Sequence, residues 1–331
     1  MLSLAFTLNF SNMKPKLLGV FIVCSVCLST LTYAQNKLDI SLNIQYAKNI
    51  YTWQNKKVNL LLDLYYPPEA TSATKYPLIV FCHGGSFTGG TRGDVSSDCD
   101  ALRKQGFACA AIDYRVGYAQ DKTKATCNAD TASLMRAIYR AMQDVNASFR
   151  YLYSKADSFS LDTSKFFLAG TSAGGTLTLF DTYINDSIAQ IYYRYCYDTL
   201  GSLQTSGNTL PNKYNVKAIA PMWAGMPALG LITPQSVKPA ILFKGGLDPN
   251  LPDGTGYFQG CSNYPVYLAG IGVYNATVSA GAPCVYHFNP YGVHAAYDDL
   301  FCADNIGCFF RAIIANQPYT NYLTYYTPSC Q

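Results

Sequence analysis

The chain has 331 residues, of which 49% are hydrophobic and only 13% charged, and its formal net charge is +4. This length and hydrophobic content suffice for a single α/β domain with a large buried core. A charge this small gives no indication of a nucleic-acid partner.

The N-terminus has the features of a secretory signal peptide. Lys14 and Lys16 precede an apolar run, residues 17–28, and Ala34 provides a small residue for cleavage. We therefore predict a signal peptide over residues 1–34 and a single domain over residues 35–331 in a secreted or periplasmic protein. The apolar run is short for a bilayer span, so we expect no stable membrane insertion, with a transmembrane anchor as the alternative.

Ten of the twelve cysteines lie beyond the predicted signal peptide. Export to an oxidising compartment favours disulfides among them, although spacing alone does not give their pairing. Cys82 and Cys109 lie in apolar, strand-like runs and are predicted to be buried thiols or a core pair, whereas the loop cysteines are better disulfide candidates. The three histidines are too few and too scattered for zinc-type spacing, so we do not expect a metal site.

The elements predicted in chain order alternate between strand and helix. Residues 38–47 and 58–65 alternate in polarity and predict an antiparallel pair of strands. Short apolar runs then predict buried parallel strands at residues 78–82, 108–113, 166–169, 216–222, 240–243 and 285–288. Amphipathic stretches between most of these runs predict helical crossovers, including a long helix over residues 129–152 and a last helix over residues 300–315. The pattern is that of repeated βαβ units.

Two long segments fall outside this alternation. Residues 186–215 are rich in Tyr and polar residues, and residues 249–283 are rich in Gly, Tyr and Asn. Loops at the carboxyl ends of parallel strands line the ligand crevice in such sheets. Both segments are therefore candidate substrate walls, and irregular surface packing is the alternative.

A candidate nucleophile lies between a strand and a helix. Ser172 stands in the sequence Gly170-Thr-Ser-Ala-Gly-Gly175, after the apolar run 166–169 and before the helix-like stretch 176–184. A nucleophile elbow needs this setting, because the serine occupies a strained turn and flanking residues with a Cβ would collide with neighbouring chain. We predict Ser172 as the nucleophile.

The general base must be one of three histidines. His294 lies in a loop after the strand run 285–288 and before the last helix, from which it can reach over the sheet edge toward Ser172. His287 lies within that strand and is more typical of a packed core residue, and His83 begins a different motif. We predict His294 as the base, with His287 as the alternative.

A carboxylate at the end of another strand must orient the base. Asp248 follows the strand run 240–243 and a glycine-containing turn, so it is the predicted acid. Asp253 lies in the same loop and is the alternative. Asp298 and Asp299 are expected to begin the last helix, where carboxylates favour the positive end of the dipole.

The oxyanion needs at least two inward-facing N–H groups. The sequence His83-Gly-Gly-Ser-Phe87 directly follows the strand run 78–82 and provides a glycine loop at the right sheet edge. We predict the N–H groups of Gly85, Ser86 and Ala173 as the oxyanion hole. A plain glycine turn is the alternative for this loop.

Taken together, the glycine loop, the elbow, and the order Ser, Asp, His resemble the α/β-hydrolase superfamily. Specifically, the chain resembles secreted carboxylesterases similar to the hormone-sensitive-lipase and the bifunctional feruloyl and acetyl esterase families, over about residues 58–315. Asp113, Tyr114 and Arg115 also resemble a DYR segment of those families, whose role is mainly structural. Ser86 departs from the HGGG loop of many relatives, which puts the acyl preference in question.

The resemblance implies the α/β-hydrolase fold: a mostly parallel eight-stranded sheet with helices on both faces and irregular loops over the site. It also implies hydrolysis of carboxylic esters through an acyl-enzyme, without a cofactor. The implied substrate is a small-molecule or polysaccharide-linked ester, with acetylated or feruloylated polysaccharide favoured over simple short-chain esters. Alternatives are a serine peptidase of the prolyl oligopeptidase type, a noncatalytic hydrolase-like binding protein and a polyester depolymerase.

Overall fold

The computed structural model describes residues 36–317 and 321–325. The fold below belongs to one compact unit, Lys37–Gln331. The predicted signal peptide lies outside the described residues. Within them, no helix is both long and apolar enough to cross a membrane.

The helices and strands alternate along the chain, much as the apolar runs predict. The strands are β1 Ile40–Tyr51, β2 Lys57–Tyr65, β3 Tyr76–Cys82, β4 Ala108–Ile112, β5 Leu161–Thr171, β6 Val216–Met222, β7 Gly225–Pro227, β8 Ala240–Gly245, β9 Gly254–Tyr257, β10 Val266–Ala269, β11 Cys284–Asn289 and β12 Tyr322–Thr324. The helices are α1 Ser96–Lys104, α2 Thr131–Ser154, α3 Ala173–Tyr183, α4 Asp186–Tyr192, α5 Arg194–Leu200, α6 Ile271–Ser279 and α7 Asp299–Ile314. Short 3-10 helices cover Arg92–Val95 and Phe258–Gly260.

The described part of the chain contains a large sheet in the order β1-β2-β4-β3-β5-β6-β8-β11-β12. β1 and β2 pair antiparallel, β2 pairs antiparallel with β4, and the remaining neighbours are parallel. The mostly parallel α/β architecture is confirmed. The prediction of eight strands was wrong, because β12 adds a ninth strand beyond the last helix, at the edge next to β11.

The core lies on both faces of this sheet. β4 is buried at all five positions, so both of its faces are covered. On one face, α2 contributes a buried stripe that includes Leu134, Ile138 and Val145, at helical spacing. On the other face, α1 and α7 pack together over the central strands. An apolar layer therefore supports the central strands on each face of the sheet.

The two segments predicted as loops are more regular than expected. Residues 186–215 contain the short helices α4 and α5, and residues 249–283 contain β9, β10 and α6. β9, β10 and β7 form a second, antiparallel sheet, which we call the small sheet. The irregular-loop prediction was wrong here because strands and helices this short bury too few alternate positions to produce a clear sequence period.

One disulfide joins Cys127 to Cys261, and both cysteines lie outside the helices and strands of the large sheet. Cys308 is also disulfide-bonded. Cys82 and Cys109 are buried free thiols, and the Cys109 sulfur lies 2.7 Å from that of Cys99. The prediction is confirmed for the buried thiols Cys82 and Cys109 and for the loop pair Cys127–Cys261. It was wrong for Cys308, which lies in α7 and is disulfide-bonded, and for Cys196, a buried free thiol in the segment 186–215.

Candidate active site

Ser172 occupies a sharp turn between β5 and α3. Its backbone has φ 55° and ψ −115°, a region that residues with a Cβ rarely adopt. A Cβ on Gly174 would lie 2.1 Å from the Cys82 carbonyl oxygen, and one on Gly170 would lie 2.5 Å from the Gly174 carbonyl carbon. The glycines are therefore required by backbone-to-backbone packing between the elbow and the end of β3.

His294 reaches Ser172 from the loop between β11 and α7. Its Nε2 lies 2.8 Å from Ser172 Oγ. The loop is held against the end of β8, since Leu247 N–H donates to the Gly292 carbonyl at 2.9 Å. A Cβ on Gly245 would meet that same loop at 2.2 Å, at the Val293 carbonyl. The loop after β8 and the loop that carries His294 therefore fix each other's position through main-chain contacts.

Asp248 is buried and is the third residue in the series of hydrogen bonds that begins with Ser172 and His294. Its Oδ2 lies 3.0 Å from His294 Nδ1, and its Oδ1 accepts the N–H of Asn250 at 2.8 Å. This contact favours the tautomer with the proton on Nδ1, which leaves Nε2 free to accept the Ser172 hydroxyl proton. Burial alone would raise the pKa of Asp248, but hydrogen bonds from His294 and Lys244 outweigh it and lower the pKa below its usual value.

The alternative residues have other partners. Asp253 accepts hydrogen bonds from the Tyr286 hydroxyl and from the Ile271 N–H at the start of α6, both at 2.7 Å. His287 is fully buried and stacks on Phe243 with ring centroids 5.0 Å apart. Burial lowers the pKa of His287 to about 4, so it stays neutral. Neither residue takes part in the hydrogen bonds that connect Ser172 through His294 to Asp248.

The glycine loop after β3 has an unusual backbone. Gly85, Ser86 and Phe87 have φ values of 110°, 53° and 60°. His83 supports the loop from below: its Nδ1 lies 2.6 Å from the Gly84 carbonyl oxygen, and its ring stacks on Tyr114 at 4.1 Å. Burial lowers the pKa of His83, which keeps the ring neutral and lets Nδ1–H donate. His83 therefore shapes the loop.

The predicted oxyanion donors are not equally close to the nucleophile. Ser86 and Ala173 line the same cleft as Ser172, while Gly85 is not among its lining residues. Within the described residues, no acceptor takes the backbone N–H of Gly85 or Ser86. Ala173 is the first residue of α3, where backbone N–H groups have no partner within the helix. The geometry thus favours Ser86 and Ala173 as the pair.

The cleft is narrow, with a cavity volume of about 10 Å³, which is close to the space for one water molecule. Besides the predicted site residues, the cleft is lined by Thr176, Trp223, Asn250, Leu251, Phe258 and Gln259, none of which was predicted individually. Four of these lie in the segment 249–283, a predicted substrate wall. None of the residues 186–215 lines this cleft; Tyr192–Cys196 line a separate groove with Met135 and Leu229.

A family model described as BD-FAE, an α/β-hydrolase family, matches residues 62–220. That range contains the glycine loop and the elbow. The order of strands in the large sheet and the turn that carries Ser172 between β5 and α3 agree with an α/β-hydrolase fold. The chain has the α/β-hydrolase fold. No curated protein matches this chain.

Solved esterase structures share the fold of this chain. A truncated carbohydrate esterase from gut microbiota aligns with a TM-score of 0.58 and 17% identity, covering 84% of this chain and 97% of that one. Thermogutta terrifontis esterase 2 phosphorylated by paraoxon aligns with a TM-score of 0.53 and 17% identity, covering 88% and 100%. A butyrate-bound form of that esterase aligns at 0.52 and 17%, covering 83% and 91%. Together with the family model, these matches support a carboxylesterase in general terms.

Proposed function

We propose that this protein is a serine carboxylesterase that hydrolyses short-acyl esters through an acyl-enzyme on Ser172. The observation that carries the proposal is the hydrogen-bonded line from Ser172 Oγ through His294 to Asp248, with separations of 2.8 and 3.0 Å. A hydroxyl is a weak nucleophile at neutral pH unless a base takes its proton as it attacks. His294 lies within the distance that this transfer requires.

The reaction proceeds in two halves. Ser172 Oγ attacks the ester carbonyl carbon while His294 Nε2 takes the hydroxyl proton, and the buried carboxylate of Asp248 stabilises the imidazolium. The N–H groups of Ser86 and Ala173 receive the developing oxyanion. His294 then gives its proton to the departing alcohol and leaves an acyl-enzyme. Water attacks the acyl carbon as His294 takes its proton, and His294 returns this proton to Ser172 Oγ as the acid departs.

The cleft supports a short acyl group. Trp223, Leu251 and Phe258 narrow the space beside Ser172. Tyr291, three residues before His294, is 80% exposed and offers an aromatic surface for the alcohol side of the substrate. We propose acetylated polysaccharide as the preferred class. The likeness to a carbohydrate esterase agrees with this choice, and feruloyl esters are the larger alternative.

The decisive experiment is hydrolysis of p-nitrophenyl acetate by the purified Ser172→Ala variant. We expect kcat to fall by about 10³-fold or more, because only binding and the oxyanion hole remain. Ser164→Ala is the matched control, since Ser164 is an exposed serine on the same strand. Full activity of Ser172→Ala, with the control also active, would exclude Ser172 as the nucleophile.

A substrate screen tests the second part of the proposal. Acetyl, butyryl and feruloyl esters are compared on one preparation, with a peptide amide included to test for a prolyl oligopeptidase type of activity. We expect kcat/KM to be greatest for acetyl and lowest for the amide. Preference for the feruloyl ester would replace the short-acyl assignment while leaving the triad unaffected.

We also propose that the protein is exported and begins at Gln35 after cleavage. The disulfide between Cys127 and Cys261 supports this, because such bonds persist in oxidising compartments. The intact mass of protein recovered from outside the cytoplasm tests the cleavage point. A mass that includes residues 1–34 would contradict it.

A further inference from the structure

A lysine lies buried beside the triad acid. Lys244 is near the end of β8, four residues before Asp248, and only 1% of its surface is exposed. Lysines are rarely buried to this degree unless they are paired. The catalytic scheme above assigns this lysine no role.

The ammonium group is fully engaged. Its Nζ lies 2.6 Å from Asp248 Oδ2, 2.7 Å from the Leu251 carbonyl oxygen and 3.3 Å from the Gly245 carbonyl oxygen. An ammonium has three protons to donate, so these contacts satisfy it and fix its position. Leu251 also lines the catalytic cleft, and the lysine thus ties the acid to the cleft wall.

Lys244 shares one oxygen atom with the catalytic base. Asp248 Oδ2 accepts from Lys244 Nζ on one side and from His294 Nδ1 on the other. Since both nitrogens lie within hydrogen-bond distance of one atom, they are at most about 6 Å apart, a separation at which charges alter proton affinity. The lysine offsets much of the negative charge that would otherwise favour a proton on His294.

The other charges nearby do not reverse this effect. Asp253, in the same loop as Asp248, adds a second negative charge facing Lys244, and it is held by the Tyr286 hydroxyl of β11. Burial lowers the pKa of Lys244, and Asp248 opposes that shift through its hydrogen bond and charge. The lysine therefore contacts Asp248 and feels the charge of Asp253, and of these two carboxylates only Asp248 contacts His294.

We propose that Lys244 is a positioning residue that orients Asp248 Oδ2 toward His294 and whose positive charge extends activity to lower pH by disfavouring protonation of the base. This inference rests on the proposed serine-esterase function. The proposed role has two parts, the orientation of Asp248 and the positive charge of Lys244. Different substitutions of Lys244 can remove both parts or the charge alone.

The test is the pH profile of kcat/KM for p-nitrophenyl acetate from pH 4 to 9. Lys244→Met removes both the hydrogen bonds and the charge, and we expect the acidic midpoint to rise by about one pH unit and the plateau to fall about tenfold. Lys244→Gln keeps an amide that can donate to Asp248. We expect it to show the same rise in midpoint with a plateau closer to that of the wild type.

Lys238→Met is the matched control. Lys238 is a half-buried lysine just before β8 whose ammonium donates to Asn215, so its removal should leave the profile unchanged. A lower plateau without a change in midpoint in the Lys244 variants would mean a structural role and overturn the proposal. An unchanged profile, or loss of the fold in both Lys244 variants by circular dichroism, would overturn it as well.

Failure of this inference is distinguishable from failure of the proposed function. If Ser172→Ala stays active, the triad assignment fails. If Ser172→Ala is inactive and the midpoint is the same in Lys244→Met, Lys244→Gln and the wild type, only the role of Lys244 fails.

Discussion

The elbow and the small sheet hold the two sides of one cleft by different means. The elbow packs backbone against backbone between β3, β5 and α3, where Gly174 has no room for a Cβ. The small sheet has strands of three or four residues, with β9 half exposed, and its turn is tied by the disulfide at Cys261. This difference indicates that the position of Ser172 depends on the packing of the large sheet. The fit of the substrate depends instead on the small sheet, which a disulfide holds in place.

The largest effect on kcat/KM is expected for Gly174→Ala, a substitution in the elbow that carries Ser172. The new Cβ would lie 2.1 Å from the Cys82 carbonyl oxygen, so backbone must shift near Ser172. We expect kcat/KM for an acetate ester to fall by at least about 100-fold, since small displacements of reacting groups are costly. Gly89→Ala is the control, because a Cβ there meets no atom within 4 Å. Equal activity in the two variants would contradict the rigid-elbow interpretation.

The double substitution Cys127→Ser with Cys261→Ser releases the small sheet from the loop before α2. The bridge spans 134 residues, and its loss should lower the free energy of unfolding by about 2–4 kcal/mol in urea titrations. Because Phe258 and Gln259 lie close before Cys261, we expect KM to rise more than kcat falls. A fall in kcat with constant KM would place the effect on the elbow instead.

Phe258→Ala tests whether the small-sheet side limits acyl length. Phe258 lines the cleft and stacks on Tyr267 of β10, with ring centroids 5.1 Å apart. Its removal should raise the butyryl-to-acetyl ratio of kcat/KM by about tenfold, the effect of one or two methylene groups in an apolar pocket. An unchanged ratio would mean that Phe258 faces the alcohol side.

The smallest effect on activity is expected at Asp98, which belongs to neither region. Burial, and then repulsion from Asp299, raise the pKa of Asp98 to about 7. The ionised form is thus disfavoured in the folded state, and the corresponding stability is present below about pH 4 and lost as pH rises through about 7. Asp98→Asn should therefore raise the free energy of unfolding by about 1–3 kcal/mol at pH 8, with no gain at pH 4 and unchanged kcat/KM. Equal gains at both pH values would contradict the titration of Asp98.

The scaffold was largely predictable from the sequence because each of its parts has a local pattern. Buried parallel strands appear as apolar runs, as at residues 108–113, and the elbow needs small residues around Ser172. With only three histidines, the position of His294 after the last predicted parallel strand sufficed to select it. The catalytic roles of these residues stay predictions until the variants are measured.

The cleft wall could not be predicted in the same way. Trp223 and Phe258 come from separate segments, and their meeting beside Ser172 depends on how short strands pair across the small sheet. Lys244 was missed for another reason, since a lysine inside an apolar strand contradicts the pattern that identifies the strand. Only the distance to Asp248 reveals why it is there.

The position of Trp223 has a practical consequence. The chain has two tryptophans, and Trp223 lines the cleft beside Ser172 while Trp53 is 41% exposed. Replacing Trp53 with Phe would leave one indole as an optical reporter at the reaction centre. Stopped-flow fluorescence could then follow acylation and deacylation of natural, colourless esters without an attached dye.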